Sequence, residues 1–249
     1  MTLPEFFAAH PRAALAFSGG TDSAYLLCAA LRAGADVHAY FVKSAFQPQF
    51  ELTDAETLAR SLGAALTVLP LDVLADACLA ANTADRCYHC KKRIFSAIAE
   101  AAARDGYDLL LDGTNASDDP SDRPGVRALR ELSVRSPLRE CGLTKPEIRR
   151  LSREAGLFTW DKPAYACLAT RIPTGTPITA ATLERTERAE AYLASLGFRD
   201  FRVRLLGSAA KLQLRAEQLP LLLETRGAVL RELKRHYDGV LLDLEVRDE

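Results

Sequence analysis

The chain has 249 residues, of which 48% are hydrophobic and 26% are charged, as is usual for a soluble globular protein. Its net charge of −1 gives no overall reason to expect a nucleic acid or a membrane surface as a partner. No apolar run approaches the roughly 20 residues of a membrane span, and no signal peptide is evident. We therefore expect a cytoplasmic protein with one large domain or two smaller ones.

Apolar runs alternate with helical patterns through the first part of the chain. The apolar runs predict strands at 13–17, 36–42, 65–69, 109–111 and 134–138, and the other stretches predict helices at 24–31, 52–62, 74–79, 93–104 and 144–155. Strands and helices that alternate through short connections are typical of an α/β fold with a doubly wound parallel sheet. Ligands of such sheets bind beyond the carboxyl ends of the strands.

A polar turn separates the first predicted strand from the first predicted helix, and its sequence is Ser18-Gly19-Gly20-Thr21-Asp22-Ser23. A strand that stops at paired glycines and continues as a helix presents backbone N–H groups at the positive end of that helix, where phosphate binds well. Gly19 and Gly20 let the backbone approach a ligand closely. The hydroxyls of Ser18 and Ser23 add hydrogen-bond donors. The alternative is an ordinary glycine-rich turn that begins a helix.

Two further features belong to this predicted phosphate site. Asp22 suits an anion site only if a divalent cation such as Mg²⁺ lies between its carboxylate and the phosphates. A second polar turn contains Gly113 and follows the strand predicted at 109–111, so it belongs to the same edge of a parallel sheet as the first turn. Residues 116–127 are polar and rich in Pro and Gly, which predicts a mobile loop over the site.

Three of the six cysteines form a pattern that suits a metal centre. Cys87 and Cys90 form a C-x-x-C pair just before a predicted helix, and Cys167 lies in an irregular segment. A redox disulfide of the thioredoxin kind favours a position directly after a strand, and structural zinc needs four ligands. Three thiolates suit a [4Fe-4S] cluster with one open iron, which could hold a sulfide or bind a substrate. The alternative is a set of ordinary thiols, as predicted for Cys28 and Cys78 in the core.

Beyond residue 178 the pattern changes to that of a small α+β unit. It predicts helices at 180–196 and 219–236, and strands at 201–206, 210–214 and 239–246. We place the domain boundary within 174–178. The sequence therefore predicts two domains, at 1–175 and 176–249.

Two arginines and one glutamate of this region are candidate substrate-binding residues. Arg202 and Arg204 share one face of an alternating strand, where two guanidinium groups can bind a phosphate or a carboxylate. Glu190, on the preceding predicted helix, is a candidate neighbour of these arginines or a metal ligand. The alternative is a solvated sheet face whose arginines pair with glutamates of the helix.

Several motifs follow one another along the chain. They are Ser-Gly-Gly-Thr-Asp-Ser at 18–23, Arg-Cys-Tyr-His-Cys-Lys at 86–91, Asp-Gly-Thr-Asn at 112–115, Arg-Pro-Gly-Val-Arg-Ala-Leu at 123–129, Ser-Pro-Leu at 136–138, Thr-Trp-Asp-Lys-Pro at 159–163 and Ala-Cys-Leu-Ala-Thr-Arg-Ile-Pro at 166–173. The first resembles the pyrophosphate loop of the PP-loop ATP pyrophosphatases, whose domain is of the adenine nucleotide alpha hydrolase type. The series resembles the LarE-type ATP-dependent sulfur transferases over nearly the whole chain. Those enzymes act in biosynthesis of the nickel-pincer nucleotide cofactor of lactate racemase.

The resemblance implies a substrate and a reaction in two steps. ATP with Mg²⁺ would adenylylate a carboxylate of pyridinium-3,5-biscarboxylic acid mononucleotide and release pyrophosphate. Sulfur would then displace AMP and leave a thiocarboxylate. Family members with only the cysteine that matches Cys167 sacrifice its sulfur, whereas members that also carry the C-x-x-C pair are thought to use a [4Fe-4S] cluster. Because this chain has all three cysteines, we expect the cluster type.

The resemblance also implies roles for single residues. It assigns ATP binding to Ser18, Gly19, Gly20, Asp22, Ser23 and Gly113, and Asp22 is also a candidate Mg²⁺ ligand. It assigns sulfur delivery to Cys87, Cys90 and Cys167. It assigns substrate binding to Arg202, Arg204 and Glu190. It further implies a homo-oligomer that binds a small nucleotide, without a nucleic-acid or membrane partner. The chain departs from the family at Leu206-Gly207-Ser208 and at Gln213, so its substrate could differ. A cluster-dependent tRNA thiolase and a non-catalytic nucleotide-binding iron–sulfur protein remain as alternatives.

Overall fold

The computed structural model describes residues 1–118 and 124–245. Two sets of residues make their contacts mainly among themselves. The first unit comprises Met1–Asp72 and Asp85–Lys162, and the second comprises Val73–Ala84 and Pro163–Glu249. Of the mobile loop predicted at 116–127, residues 119–123 lie outside the described residues, and 124–127 belong to a helix, Pro124–Glu131, rather than to a loop. Domains at 1–175 and 176–249 stay a prediction, and the second unit begins before that boundary.

Strands and helices alternate through the described residues of the first unit, with helices at Leu3–Ala9, Pro124–Glu131 and Pro137–Glu140 that the sequence patterns do not predict. In chain order the elements of both units are α1 (Leu3–Ala9), β1 (Arg12–Ala16), α2 (Thr21–Arg32), β2 (Asp36–Lys43), α3 (Gln49–Leu62), β3 (Leu66–Pro70), α4 (Ala77–Ala80), α5 (Arg86–Arg104), β4 (Leu110–Leu111), α6 (Pro124–Glu131), α7 (Pro137–Glu140), α8 (Lys145–Glu154), α9 (Ala180–Ser195), β5 (Arg202–Leu206), β6 (Ala209–Gln213), α10 (Leu219–Leu233) and β7 (Val240–Leu242). Short 3₁₀ turns occur at Leu168–Arg171 and Ala216–Gln218.

A four-stranded parallel sheet forms the centre of the first unit, in the order β3-β2-β1-β4. Successive residues of β1 face opposite sides of the sheet. Leu15 belongs to a buried cluster that includes Leu27 of α2, whereas Ala14 belongs to a second cluster that includes Ile98 of α5. Helices therefore cover both faces, and the predicted α/β fold with a parallel sheet is confirmed.

Local sequence signals explain where several elements begin. Thr144 and Glu147 form a capping box at the start of α8, because the backbone N–H of Thr144 donates to Glu147 at 2.9 Å. The strand predicted at 134–138 is wrong: Arg135 makes a single parallel bridge to Leu111, and α7 begins at Pro137. Proline lacks the N–H that a strand would use, and its fixed φ suits the first turn of a helix.

Two other sequence predictions need correction. Helix α5 begins at Arg86 rather than at 93, so the C-x-x-C pair lies inside its first turns and not in a loop before it. The helix predicted at 74–79 is shorter in the structure, where α4 covers only Ala77–Ala80. Cys78 in this helix is exposed rather than buried. Cys28 is buried in the core, as predicted.

The second unit contains a three-stranded sheet in the order β5-β6-β7, as its α+β pattern predicts. β5 and β6 pair as an antiparallel hairpin through Gly207, whose φ of 59° suits glycine. Asn82 is buried and donates from Nδ2 to the backbone oxygens of Pro173 and Thr176 at 2.9 and 3.1 Å. These bonds explain why 73–84 belongs to this unit. No helix in the described part of the chain is long and apolar enough to cross a membrane.

Candidate active site

The turn at 18–23 has the geometry of a phosphate-binding loop. Gly20 is the N-cap residue of α2 and has no side chain to cap the helix, so the first N–H groups of α2 can face a ligand. The hydroxyls of Ser18 and Ser23 lie 3.1 Å apart, and the N–H of Gly20 donates to the Ser18 hydroxyl at 3.3 Å. The predicted strand–turn–helix order is therefore present, with both serines at the turn.

Two glycines allow a close approach of backbone at this loop. Gly19 has a φ of 69°, and a Cβ there would lie 3.1 Å from the backbone of Ala55. A Cβ on Gly113 would lie only 2.9 Å from the backbone nitrogen of Ser23. Because β4 pairs directly with β1, the two polar turns meet at one sheet edge, as the sequence predicts.

Asp112 holds the second turn in shape. It is buried, and its carboxylate accepts a hydrogen bond from the hydroxyl of Ser136 at 2.6 Å and another from the hydroxyl of Thr114. Its hydrogen bonds explain why an acid precedes Gly113. The carboxylate fixes the turn that leaves room for Ser23.

The carboxylate of Asp22 is only partly satisfied by the residues that the structure describes. Lys145 donates from Nζ to its Oδ2 at 2.6 Å, but Oδ1 is buried and has no hydrogen-bond partner in residues 1–118 or 124–245. Burial raises the pKa of Asp22, and the ammonium of Lys145 opposes that shift. Mg²⁺ prefers carboxylate oxygens, so this unsatisfied oxygen fits the predicted cation site.

Lys162 is a second cation at the loop. Its Nζ donates to Asp54 at 2.6 Å and to the backbone oxygen of Gly19 at 3.3 Å. The guanidinium of Arg149 donates to the backbone oxygen of Lys162 at 3.0 Å and so fixes this segment. Neither Lys145 nor Lys162 is predicted from the sequence as a site residue. In the sequence, Lys162 stands out only as a member of the motif at 159–163, and Lys145 only as a residue at the start of a predicted helix.

Cys87 and Cys90 lie one helical turn apart in α5, so their sulfurs share one helix face. Cys87 is exposed and Cys90 is half-buried. Arg86 is 7% exposed, and its guanidinium donates from Nη2 to the sulfur of Cys87 at 3.5 Å, while its Nη1 has no partner among the described residues. Arg86, which the sequence does not single out as a site residue, therefore places a positive charge at the sulfur of Cys87.

Cys167 lies in the second unit, at the N-cap of the 3₁₀ turn Leu168–Arg171. It is half-buried, and its backbone oxygen accepts hydrogen bonds from the N–H and the hydroxyl of Thr170 at 2.9 and 2.8 Å. Within the described residues of either unit, no three His, Cys, Asp or Glu side chains come close enough to hold a metal ion. The three-cysteine cluster therefore stays a prediction.

The two candidate arginines of β5 already bind backbone oxygens. Arg202 is buried and donates to the oxygens of Phe201 and Ala164 at 2.7 and 2.6 Å. Arg204 donates to the oxygen of Thr170 at 2.8 Å. Arg202 is therefore not solvated, whereas Arg204 is half-buried, and the roles predicted for both arginines stay predictions.

Glu190 pairs with an arginine that the sequence analysis did not select. Its Oε1 accepts from Nε of Arg171 at 2.7 Å, and both side chains are buried. Arg171 was visible only as part of the motif at 166–173. The predicted contact of Glu190 with a substrate or a metal stays a prediction.

Comparison with known proteins agrees with this geometry. The profile of the family described as queuosine biosynthesis protein QueC matches residues 12–100, which include the glycine loop and the C-x-x-C pair. Pyridinium-3,5-bisthiocarboxylic acid mononucleotide synthase of Lactiplantibacillus plantarum is 36% identical over 236 residues, which cover 94% of this chain and 86% of that protein. This chain belongs to the LarE-type sulfur transferase family.

Two uncharacterised proteins are also similar to this LarE-type chain. A protein of Synechocystis is 37% identical over 218 residues, which cover 87% of the chain and 81% of that protein. A protein of Methanocaldococcus jannaschii is 27% identical over 233 residues, which cover 93% and 89%. Membership of the LarE-type family confirms the resemblance stated from the motifs and the PP-loop fold of the first unit, and it makes this chain an enzyme. The three-cysteine subtype stays a prediction.

Proposed function

We propose that this enzyme uses ATP to convert a carboxylate of a pyridinium biscarboxylate mononucleotide into a thiocarboxylate. The observation that carries this proposal is the uncapped start of α2 with the unsatisfied oxygen of Asp22 beside it. Similarity to the named synthase of Lactiplantibacillus plantarum supports the choice of substrate. Because the chain departs from the family at 206–208 and Gln213, the product analysis below also tests this substrate.

The first step activates the carboxylate. The phosphates of ATP bind the N–H groups of Gly20 and of the first turn of α2, with the hydroxyls of Ser18 and Ser23 as further donors. Mg²⁺ at Asp22 would neutralise phosphate charge when bound. A substrate carboxylate oxygen attacks the α-phosphorus, the bond to the bridging oxygen breaks, and pyrophosphate leaves. The product is an acyl adenylate.

Two lysines supply positive charge to this step. Lys145 and Lys162 are each held at the loop by a carboxylate, Asp22 and Asp54 respectively. A lysine ammonium that is already oriented near the loop can stabilise the charge of departing pyrophosphate. Pyrophosphate therefore leaves as a stabilised anion.

The second step replaces oxygen by sulfur. A sulfur nucleophile attacks the acyl carbon, the bond from that carbon to the AMP oxygen breaks, and AMP leaves with the original carboxylate oxygen. A [4Fe-4S] cluster held by Cys87, Cys90 and Cys167 would supply the sulfide when bound. The guanidinium of Arg86 stabilises negative charge on sulfur at Cys87. Arg202 and Arg204 bind the phosphate or the second carboxylate of the substrate.

We also propose that the chain acts as a homo-oligomer. Several exposed leucines lie in the second unit, namely Leu206, Leu223, Leu241, Leu242 and Leu244. Contact of these leucines with another copy of the chain would remove their apolar surface from water. Light scattering on the purified chain should give more than one chain per particle, and a monomer at all concentrations would contradict this.

Product analysis tests the reaction. The full chain, reconstituted with iron and sulfide without oxygen, is incubated with ATP, Mg²⁺ and the biscarboxylate mononucleotide. We expect AMP and pyrophosphate to form in step with the thiocarboxylate, and neither to form without the nucleotide substrate. ATP converted to ADP and phosphate, or no ATP consumption, would refute the proposal.

Mass spectrometry of the protein after reaction tests the sulfur source. With sulfide present in excess to replace the sulfur transferred at each turnover, we expect many turnovers and an unchanged mass of Cys167. Loss of its sulfur would establish the sacrificial route instead. Cys87→Ser should abolish repeated turnover, whereas the matched change Cys78→Ser, at an exposed cysteine with no proposed role, should leave it intact.

A further inference from the structure

The Glu190 carboxylate is the centre of a buried hydrogen-bond network in the second unit. Its Oε2 accepts from the hydroxyl of Tyr165 at 2.6 Å and from Nη2 of Arg171 at 3.2 Å. Its Oε1 accepts from Nε of Arg171 at 2.7 Å and from the backbone N–H of Val203 at 3.0 Å. A carboxylate has about four lone-pair sites, so these four donors satisfy Glu190 fully.

Two of these donors come from either side of Cys167. Tyr165 precedes the cysteine in the chain, and Arg171 follows it within the same short loop. Arg171 also donates from Nη1 to the backbone oxygen of Ala166, the residue directly before Cys167, at 3.0 Å. Both ends of the cysteine loop are therefore tied to one carboxylate of α9.

The same carboxylate also holds the strand that carries the candidate arginines. Val203, whose N–H donates to Glu190, lies between Arg202 and Arg204 in β5. The guanidinium of Arg204 in turn donates to the oxygen of Thr170 in the cysteine loop. Glu190 thus sets the position of Cys167 relative to both arginines within one unit.

We infer that Tyr165, Arg171 and Glu190, here called the Glu190 clamp, are positioning residues that hold the Cys167 sulfur in place for sulfur transfer. Stability alone does not require a buried Glu–Arg ion pair, because a well-packed apolar pair commonly stabilises a core as well as a buried ion pair does. The clamp adds to the hydrogen bonds that Arg202 and Arg204 donate to the backbone oxygens of Ala164 and Thr170 in the same loop. Its meaning for catalysis rests on the proposed sulfur chemistry at Cys167.

The reactivity of the Cys167 thiol tests the clamp without ATP or substrate. The full chain, before iron is added, is treated with iodoacetamide, and mass spectrometry follows alkylation of Cys167 and of Cys78, an exposed thiol of the same unit. Glu190→Gln and Tyr165→Phe should each raise the Cys167 rate by about threefold or more, because the loop opens more often. The Cys78 rate should not change.

Matched variants on α9 separate positioning from loss of charge or of a hydroxyl. Glu184→Gln removes an exposed acid of the same helix, and Tyr192→Phe removes a hydroxyl outside the clamp. Both should leave the Cys167 rate as in the native chain. If Glu190→Gln fails to fold, Tyr165→Phe still tests the clamp, because it keeps the ring that lies against Arg171.

The outcomes distinguish this inference from the proposed function. A Cys167 rate that stays constant relative to Cys78 in Tyr165→Phe overturns the clamp and leaves ATP chemistry untouched. In the sulfur-transfer assay, Tyr165→Phe should lower kcat and leave the KM for ATP unchanged, because the ATP loop belongs to the other unit. An enzyme that never forms pyrophosphate overturns the proposed function, whatever the thiol rates are. A higher KM for ATP with unchanged kcat would also overturn the positioning role.

Discussion

The Nζ of Lys145 lies 2.6 Å from Oδ2 of Asp22, so the first residue of α8 balances the charge beside the paired glycines. The other oxygen, Oδ1, is buried and has no hydrogen-bond partner in the described parts of the chain. Burial accordingly raises the pKa of Asp22, and Lys145 lowers it again only in part. The loop thus contains a carboxylate that a bound cation would satisfy.

Removal of Lys145 should change how stability depends on pH. In Lys145→Met the pKa of Asp22 rises further above its ordinary value of 3.8, because the opposing ammonium is gone. A raised pKa means that the folded chain binds the proton more tightly than the unfolded chain. The free energy of unfolding should therefore fall as pH rises through this range, more steeply in Lys145→Met than in the native chain.

Urea denaturation of the metal-free chain between about pH 3 and pH 7 measures this slope. The double variant Lys145→Met with Asp22→Asn is the control, and it should lose the extra slope because residue 22 no longer titrates. Equal slopes for Lys145→Met and the native chain would contradict the coupling of the two residues.

Gly113→Ala should disturb the loop through backbone contact alone. The new Cβ would meet the backbone nitrogen of Ser23 at 2.9 Å, so the start of α2 must shift. We expect a loss of about 1–3 kcal/mol in the free energy of unfolding, with weaker ATP binding. Denaturation and calorimetric titration with a non-hydrolysable ATP analogue measure the two effects.

Gly20→Ala is the matched control for stability. Within the described residues its Cβ would meet the hydroxyl of Ser18, at the ordinary contact distance of 3.4 Å, and the φ of −85° at Gly20 suits any residue. Stability should therefore change little, while analogue binding falls because the methyl group occupies the phosphate site. Equal free energies of unfolding for the two variants would show that the close contact between Gly113 and Ser23 does not affect stability.

Lys162→Met should have a larger effect on the KM for ATP than on the free energy of unfolding. A charge-assisted hydrogen bond to phosphate contributes about 1.5–3 kcal/mol, so its loss should raise the KM for ATP about tenfold or more. Lys92→Met, which removes an exposed ion pair with Glu131, is the control and should leave KM unchanged. Steady-state pyrophosphate release measures both, and an unchanged KM in Lys162→Met would remove this lysine from the site.

Local signals made much of the first unit predictable. The capping box at Thr144 and the alternation of apolar runs with helices depend on residues close together in the chain, and the structure agrees with both. The strand predicted at 134–138 failed because the apolar pattern gave no weight to Pro137 as a helix start. Helix α5 includes the C-x-x-C pair because its first turn continues without a break into the amphipathic part.

The sequence by itself determined the glycine turn, the three candidate cysteines and the family, because each depends on which residues follow one another. The tertiary structure decided which charges meet. Lys145 and Asp22 are 123 residues apart, and Lys162 and Asp54 are 108 apart, so no local pattern could pair them. Glu190 likewise binds Arg171, because the cysteine loop folds back onto α9 and buries that pair. Partners of buried charges depend on chain folding over long separations, which residue spacing does not record.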